Sequence, residues 1–261
     1  MKSWHKISWI LGTVLTVLNM GSFSVSAALL GAGDTHIQSL ELLRQGQEKA
    51  RQGQFQDAIS IYTKAIETNP RHTNAYIYRG LAYHDLGDYQ KAIADFGQAI
   101  QLEPSNARAT YNRGETKSDL GDLAGALIDL TQSIQINPKY AEAYNNRGVV
   151  QARMRQATAA MRDFDNAISI QFDYADAYYN RAQAHADQKS RPEAIADLTQ
   201  AIRFNPNLAE AYGHRGLMYA AMAKIPAALA DLKKAAELFK QQGNRESYER
   251  TVEYINQIQP R

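Results

Sequence analysis

No cysteine occurs anywhere in the 261 residues. That excludes disulfides, thiol nucleophiles and every zinc site that needs a thiolate. Glycine and proline are sparse, at 16 and 7, while Ala, Gln, Leu and Ile abound, so the composition reads as helical. An excess of one charge is missing too. Lys2 and Lys6 account for the whole surplus of 29 basic over 27 acidic side chains. A neutral body lacks the electrostatic footprint of a nucleic-acid binder. The six histidines, His5, His36, His72, His84, His185 and His214, are scattered and form no HExxH. No phosphate-cradling glycine motif, Gly-x-Ser-x-Gly or calcium loop is present either; "DLGDY" (85–89) has two acids but too few ligands. These absences argue against an enzyme and against a metal, a cofactor or a small-molecule substrate.

What is present falls into two parts. "MKSWHK" is a short basic start, "ISWILGTVLTVL" (7–18) is a 12-residue largely apolar run, and "SVSA" (24–27) sets Val25 and Ala27 in a small-x-small arrangement. This is the layout of a secretory signal peptide spanning 1–27, with cleavage after Ala27 or Ala28. It predicts export to a periplasmic or other extracytoplasmic compartment. The alternative is an uncleaved anchor, the one route to membrane contact. Against it, spanning takes about 20 apolar residues, and Asn19, Ser22, Ser24 and Ser26 interrupt the run.

The second part is a repeat. Pro70, Pro104, Pro138 and Pro206 lie on a 34-residue period whose missing member is Phe172. "YRG" (78–80), "NRG" (112–114, 146–148), "NRA" (180–182) and "HRG" (214–216) keep the same period. So do "AIADFGQAI" (92–100), "ALIDLTQSI" (126–134), "AMRDFDNAI" (160–168) and "AIADLTQAI" (194–202). Units at 39–72, 73–106, 107–140, 141–174, 175–208 and 209–242 follow, preceded by a linker and helix start at 28–38 and followed by 243–261. A helix–turn–helix period of this length marks a solenoid.

These residues resemble the tetratricopeptide repeat family. In the second unit Tyr76, Gly80, Tyr83, Ala92, Phe96, Ala99 and Pro104 match its pattern throughout. The fourth unit departs, with Gln151 for the aromatic, Arg155 for the turn glycine and Phe172 for the proline. The resemblance implies an all-α, right-handed superhelical solenoid of six units. The small residue Gly46, Gly80, Gly114, Gly148, Ala182 or Gly216 lets the two helices of each unit approach. Asp88, Asp122 and the "SRPE" capping box (190–193) are expected to start second helices. Gly243 and Asn244 would open a capping helix whose apolar stripe is Tyr248, Val252 and Ile255.

Each unit after the first carries an arginine and, 16 residues later, an aspartate: Arg79 and Asp95, Arg113 and Asp129, Arg147 and Asp163, Arg181 and Asp197, Arg215 and Asp231. The first unit has Gln45 and Ile61 instead, so the two residue types vanish together. Pairing within the unit leaves no member unmatched, and the planar guanidinium fork suits a carboxylate. Five copies on a rod make no single catalytic site, so the pairs read as structural.

First helices of such solenoids line the concave face. The residue before each arginine is Tyr78, Asn112, Asn146, Asn180 or His214, flanked on that face by Ile77, Tyr111, Asn145, Tyr179 and Leu81. Amides both donate and accept, so a regular row suits the backbone of an extended peptide. It is similar to the asparagine ladder of the superhelical repeats of O-GlcNAc transferase, here at Asn112, Asn146 and Asn180 only. The plainer reading is a tolerated polar surface. The clamp for chaperone tails is not rebuilt, because its Lys and Asn positions are unfilled. The resulting expectation is an exported, non-enzymatic scaffold holding a protein or peptide partner in its groove. The alternative is a structural, self-associating or accessory module working through its convex face or end helices.

Overall fold

The computed structural model describes the backbone of residues 27–259 and the side chains of 35–259. The signal-peptide segment therefore lies outside the described residues except for Ala27. Among the described residues there are 13 helices and no strand. They run α1 Ala27–Arg51, α2 Phe55–Thr68, α3 Thr73–Asp85, α4 Tyr89–Leu102, α5 Ala107–Leu120, α6 Leu123–Ile136, α7 Ala141–Arg153, α8 Ala157–Ile170, α9 Ala175–Asp187, α10 Arg191–Phe204, α11 Ala209–Ala221, α12 Ile225–Gln241 and α13 Arg245–Ile258. None is long and apolar enough to cross a membrane. Residues 28–38 do not form a linker: α1 runs through them unbroken from Ala27.

Helices adjacent in sequence are adjacent in space along the whole chain, as hairpin follows hairpin. The core is correspondingly a string of small clusters, one after another. Within a hairpin the odd helix brings a small residue against a large one on the even helix. A Cβ on Gly148 would stand 2.6 Å from Phe164 Cε1, so only glycine admits this approach.

The turns within hairpins use a left-handed residue. Gly53, Gly87 and Gly121 supply it at φ 73, 79 and 93°, but Arg155, Lys189 and Ala223 adopt φ 60, 61 and 56° in the equivalent places. At the following position Asp122 caps α6 by accepting from the Gly125 N–H at 2.9 Å. Asn106 and Asn244 cap α5 and α13 in the same way. Asp88 holds Lys91 at 2.6 Å instead of capping α4. The capping box at Ser190 does not form, although Pro192 sits in the first turn. The three N-cap side chains that bond a backbone N–H of their helix are all Asn or Asp. Helix α13 closes the end, with Tyr248, Val252, Ile255 and Ile258 packed on Leu232 and Ala236 of α12.

The curvature follows from which helices meet across hairpins. Helix α1 touches α3, α3 touches α5, α5 touches α7 and α7 touches α9, while no two even helices meet to a comparable extent. The odd helices are therefore the inner layer of the curve and the even helices the outer.

Candidate functional site

All five arginines face the aspartate of their own hairpin. Nε and Nη2 donate to the two carboxylate oxygens at 2.7–2.9 Å in every case. These hydrogen bonds hold Arg79, Arg147, Arg181 and Arg215 above the ordinary guanidinium pKa. The remaining nitrogen, Nη1, does a second job that sequence reasoning missed. It reaches back to the even helix of the preceding hairpin: Arg79 to Thr63, Arg147 to Thr131, Arg181 to Asp165 and Arg215 to Thr199. Each of these four arginines thus ties three helices. The signal was in the chain, since a polar residue stands 16 positions before four of the five arginines. The fifth, Arg113, meets Gly97 and gains nothing there; in its hairpin Lys117 adds a second cation to Asp129 at 2.8 Å.

The asparagine row is not a free ladder. Asn112 is 5% exposed and Asn145 4%, both enclosed where neighbouring odd helices meet. Ile77, at 1%, belongs to the core and lines no groove. Ile77 is covered by Ala92, Phe96 and Ala99 of α4 and Ala109 of α5, while Asn145 and Asn146 meet side chains of the neighbouring odd helices. Asn146 donates to the Tyr111 hydroxyl at 2.8 Å and to Glu115 at 3.2 Å, Asn145 donates to Asn146 at 3.2 Å, and Asn180 donates to Asn145 at 2.9 Å. Tyr111 donates to Glu115 at 3.2 Å. The amides therefore stitch α5, α7 and α9 together.

The surface that remains on the odd-helix layer is aromatic. Tyr78 stacks on Tyr62 and carries the Arg108 guanidinium above its ring at 5.0 Å. Tyr111 lies 4.9 Å from Tyr140, and Tyr179 stacks on His214 at 5.5 Å. Leu81 is half-buried against the α3–α4 core. Between α9 and α11 a depression of about 240 Å³ is lined by Ala186, His214, Leu217 and Met218 among others. Burial raises the hydroxyls of Tyr111, Tyr140, Tyr174 and Tyr179, the last to about 12, and carboxylates along the row add to it. Burial also lowers His214. Among the described residues no group of three His, Asp or Glu is placed to hold a metal ion.

Tetratricopeptide-repeat models match residues 43–107, 118–154 and 175–208, together just over half of the chain. The chain belongs to the tetratricopeptide repeat family. No curated protein matches it. Solved structures do. A crystal structure of MamA is 26% identical and covers 63% of this chain and 96% of that one, with a TM-score of 0.56. The pilF protein of Pseudomonas aeruginosa is 14% identical over 85% and 99% of the two chains, at a TM-score of 0.71. YrrB, described as a TPR protein with an unusual peptide-binding site, is 20% identical over 74% and 97%, at 0.53. Tetratricopeptide repeat proteins are in general non-enzymatic scaffolds, and membership of the family implies a protein–protein interaction role here.

Proposed function

We propose that the protein is an exported scaffold that holds an extended segment of a partner protein against its odd-helix face. The observation that carries this is the inner layer itself: half-buried aromatic side chains at Tyr78 on α3, Tyr111 on α5, Tyr179 on α9 and His214 on α11, with Tyr140 and Tyr174 just before α7 and α9, and an open depression at Leu217. Broad aromatic surface with few bonds to satisfy suits partner segments of varied sequence. The peptide-binding site described for YrrB is a precedent at the level of fold. Export is inferred from the basic start, the apolar run and Ala27. Intact-mass measurement on material from the native host is expected to give an N-terminus at Ala28; full-length protein in the membrane fraction would favour an anchor.

The face is tested by the lack of cysteine, which makes any engineered thiol the sole target for labelling. Leu217→Cys, at 41% exposed on the inner layer, and Ile128→Cys, at 67% exposed on the outer helix α6, are each coupled to a bulky maleimide. Partner capture from an envelope fraction is expected to be lost with the first adduct and kept with the second. The reverse pattern would place the interface on the convex side.

A further inference from the structure

The start of α1 is held by hydrogen bonds to the end of α2 and the turn that follows it. Ser39 donates to the Ala65 carbonyl at 2.9 Å, and Nδ1 of His72 stands 2.6 Å from the same hydroxyl. The Asn69 amide meets His36 Nδ1 at 3.5 Å, and the rings of His36 and His72 lie 6.1 Å apart. Apolar grip is weak here. Ile37 is 67% exposed and Leu40 44%, and among the described side chains of α1 the first buried hydrophobic one is Leu43. The arrangement occurs once: the equivalent pairs at later junctions are Thr73 with Asn106, Ala107 with Tyr140, Ala141 with Tyr174, Ala175 with Leu208 and Ala209 with Gln242.

The protons decide how this cluster answers acid. The Ser39 hydroxyl has one proton, so both of its contacts are hydrogen bonds at once only when neutral His72 carries its proton on Nδ1. A second proton would go on Nε2, which has no hydrogen-bond partner among the described residues, on a side chain only 7% exposed. No counter-charge is at hand. Glu67 at the end of α2 forms no ion pair with the ring, Glu41 of α1 is bound to Arg44 and Gln45, and Glu103 of the next junction is bound to Asn106. Lys64 of α2 and Arg71 of the turn are cations, and Thr73 to Tyr78 of α3 include no carboxylate. The titratable group facing His72 is His36, and a charge on it adds to one on His72.

We propose that His36, Ser39, Asn69 and His72 form an acid-sensitive latch, which holds the start of α1 on the first hairpin while His72 is neutral and releases it on acidification. The latch is independent of what the groove holds. Burial, and after it the charge of His36, keep His72 below the ordinary histidine value. The neutral ring is therefore the folded form. Its contribution is complete at and above the ordinary value of about 6.5 and declines as the pH falls from there toward the lowered one. A buried cation with an unbonded N–H is relieved when the ring swings into water, and that breaks its bond to Ser39. With Ile37 and Leu40 in solvent, little else keeps this part of α1 in place, whereas Leu43 stays packed with Ala58, Ile59 and Tyr62 of α2.

The test is segment-resolved amide hydrogen exchange on residues 28–261, which keep every hairpin, at about pH 7.5 and about pH 5, with each rate corrected for the intrinsic effect of pH. Residues 35–42 are expected to exchange at least about tenfold faster at the lower pH, with α4–α8 unchanged. Burial also lowers His214, so α9 and α11 are read separately. His72→Gln keeps a donor for Ser39 and cannot take a charge, so its residues 35–42 should exchange alike at the two pH values. His36→Gln lies at an exposed position where folding is not at stake. It should move the titration of the His72 ring, followed by NMR, up toward the ordinary value and shrink the acceleration, so it decides the matter even if His72→Gln folds poorly. Three results overturn the latch: no acceleration in the parent, the same acceleration in His72→Gln, or a His72 titration that His36→Gln leaves unmoved.

Discussion

At the scale of the residue, the arginine is the most informative side chain in the protein. Its two carboxylate bonds join the helices of one hairpin, and its third nitrogen joins that hairpin to the one before. The aspartates beneath are nearly sealed from water, and removing one partner of such a pair strands the other charge, at a cost of about 3–5 kcal/mol. Arg147→Ala and Asp163→Ala are each expected to destabilise on that scale, and the double variant much less than the sum of the two. Urea melts of the four proteins check this; additive losses would show that the charges do not depend on each other. The defect at Gly97 offers a gain. Its Cβ position stands 3.9 Å from Arg113 Nη1 and is otherwise open. Gly97→Thr should supply the hydroxyl that Thr63, Thr131 and Thr199 supply elsewhere and raise helix propensity, for about 1 kcal/mol in all. A melt no higher than the parent's would mean that the third bond contributes nothing. The in-hairpin pairs were legible because Arg and Asp appear and disappear together. The asparagines were not, because their partners sit 31 or 35 positions away on neighbouring inner helices. How closely those helices approach depends on superhelical pitch, which a periodic sequence leaves unstated.

At the scale of the element, hairpin geometry was read from the 34-residue period, and the turns show where the pattern is under tension. The sequence flags Arg155 as a substitute for glycine, and its φ of 60° shows that the backbone keeps the glycine conformation all the same. Ala223 does likewise at 56°. A left-handed conformation costs a residue with a Cβ about 1–2 kcal/mol, part of which glycine gives back through its freer unfolded chain. Both positions are exposed and nothing else depends on their side chains. Arg155→Gly and Ala223→Gly are each expected to stabilise by about 0.5–1 kcal/mol, and to add when combined because the turns lie far apart. Thermal melts of the two single variants and the pair decide it; a fall in either would mean that unfolded-state entropy outweighs the strain. Helix starts were less legible than turns. Asp88 and Asp122 follow glycine in the same way, yet only Asp122 caps, because Lys91 draws Asp88 aside.

At the scale of the whole molecule, each hairpin contacts little beyond its neighbours, so stability is a sum of local units and the interfaces between them. Such a rod has two ends, and an end exposes what an interior interface would bury. At the C-terminal end α13 covers Leu232 and Ala236 with Tyr248, Val252, Ile255 and Ile258. Each large apolar side chain of this kind contributes about 1.5–3 kcal/mol when fully buried. A chain ending at Gln242 should lose several kcal/mol from its last hairpin and present a fresh apolar face to solvent. Two consequences are expected together. Amide exchange should quicken in α11 and α12 and fade toward the parent's rates by α7, leaving α1–α6 protected as before. Sedimentation should show concentration-dependent self-association, as the uncovered end of one rod packs on that of another. Restoring α13 as a separate peptide should reverse both. Uniform loss of protection from end to end would instead mean that the chain folds as one cooperative block, with coupling that the string of small core clusters does not supply.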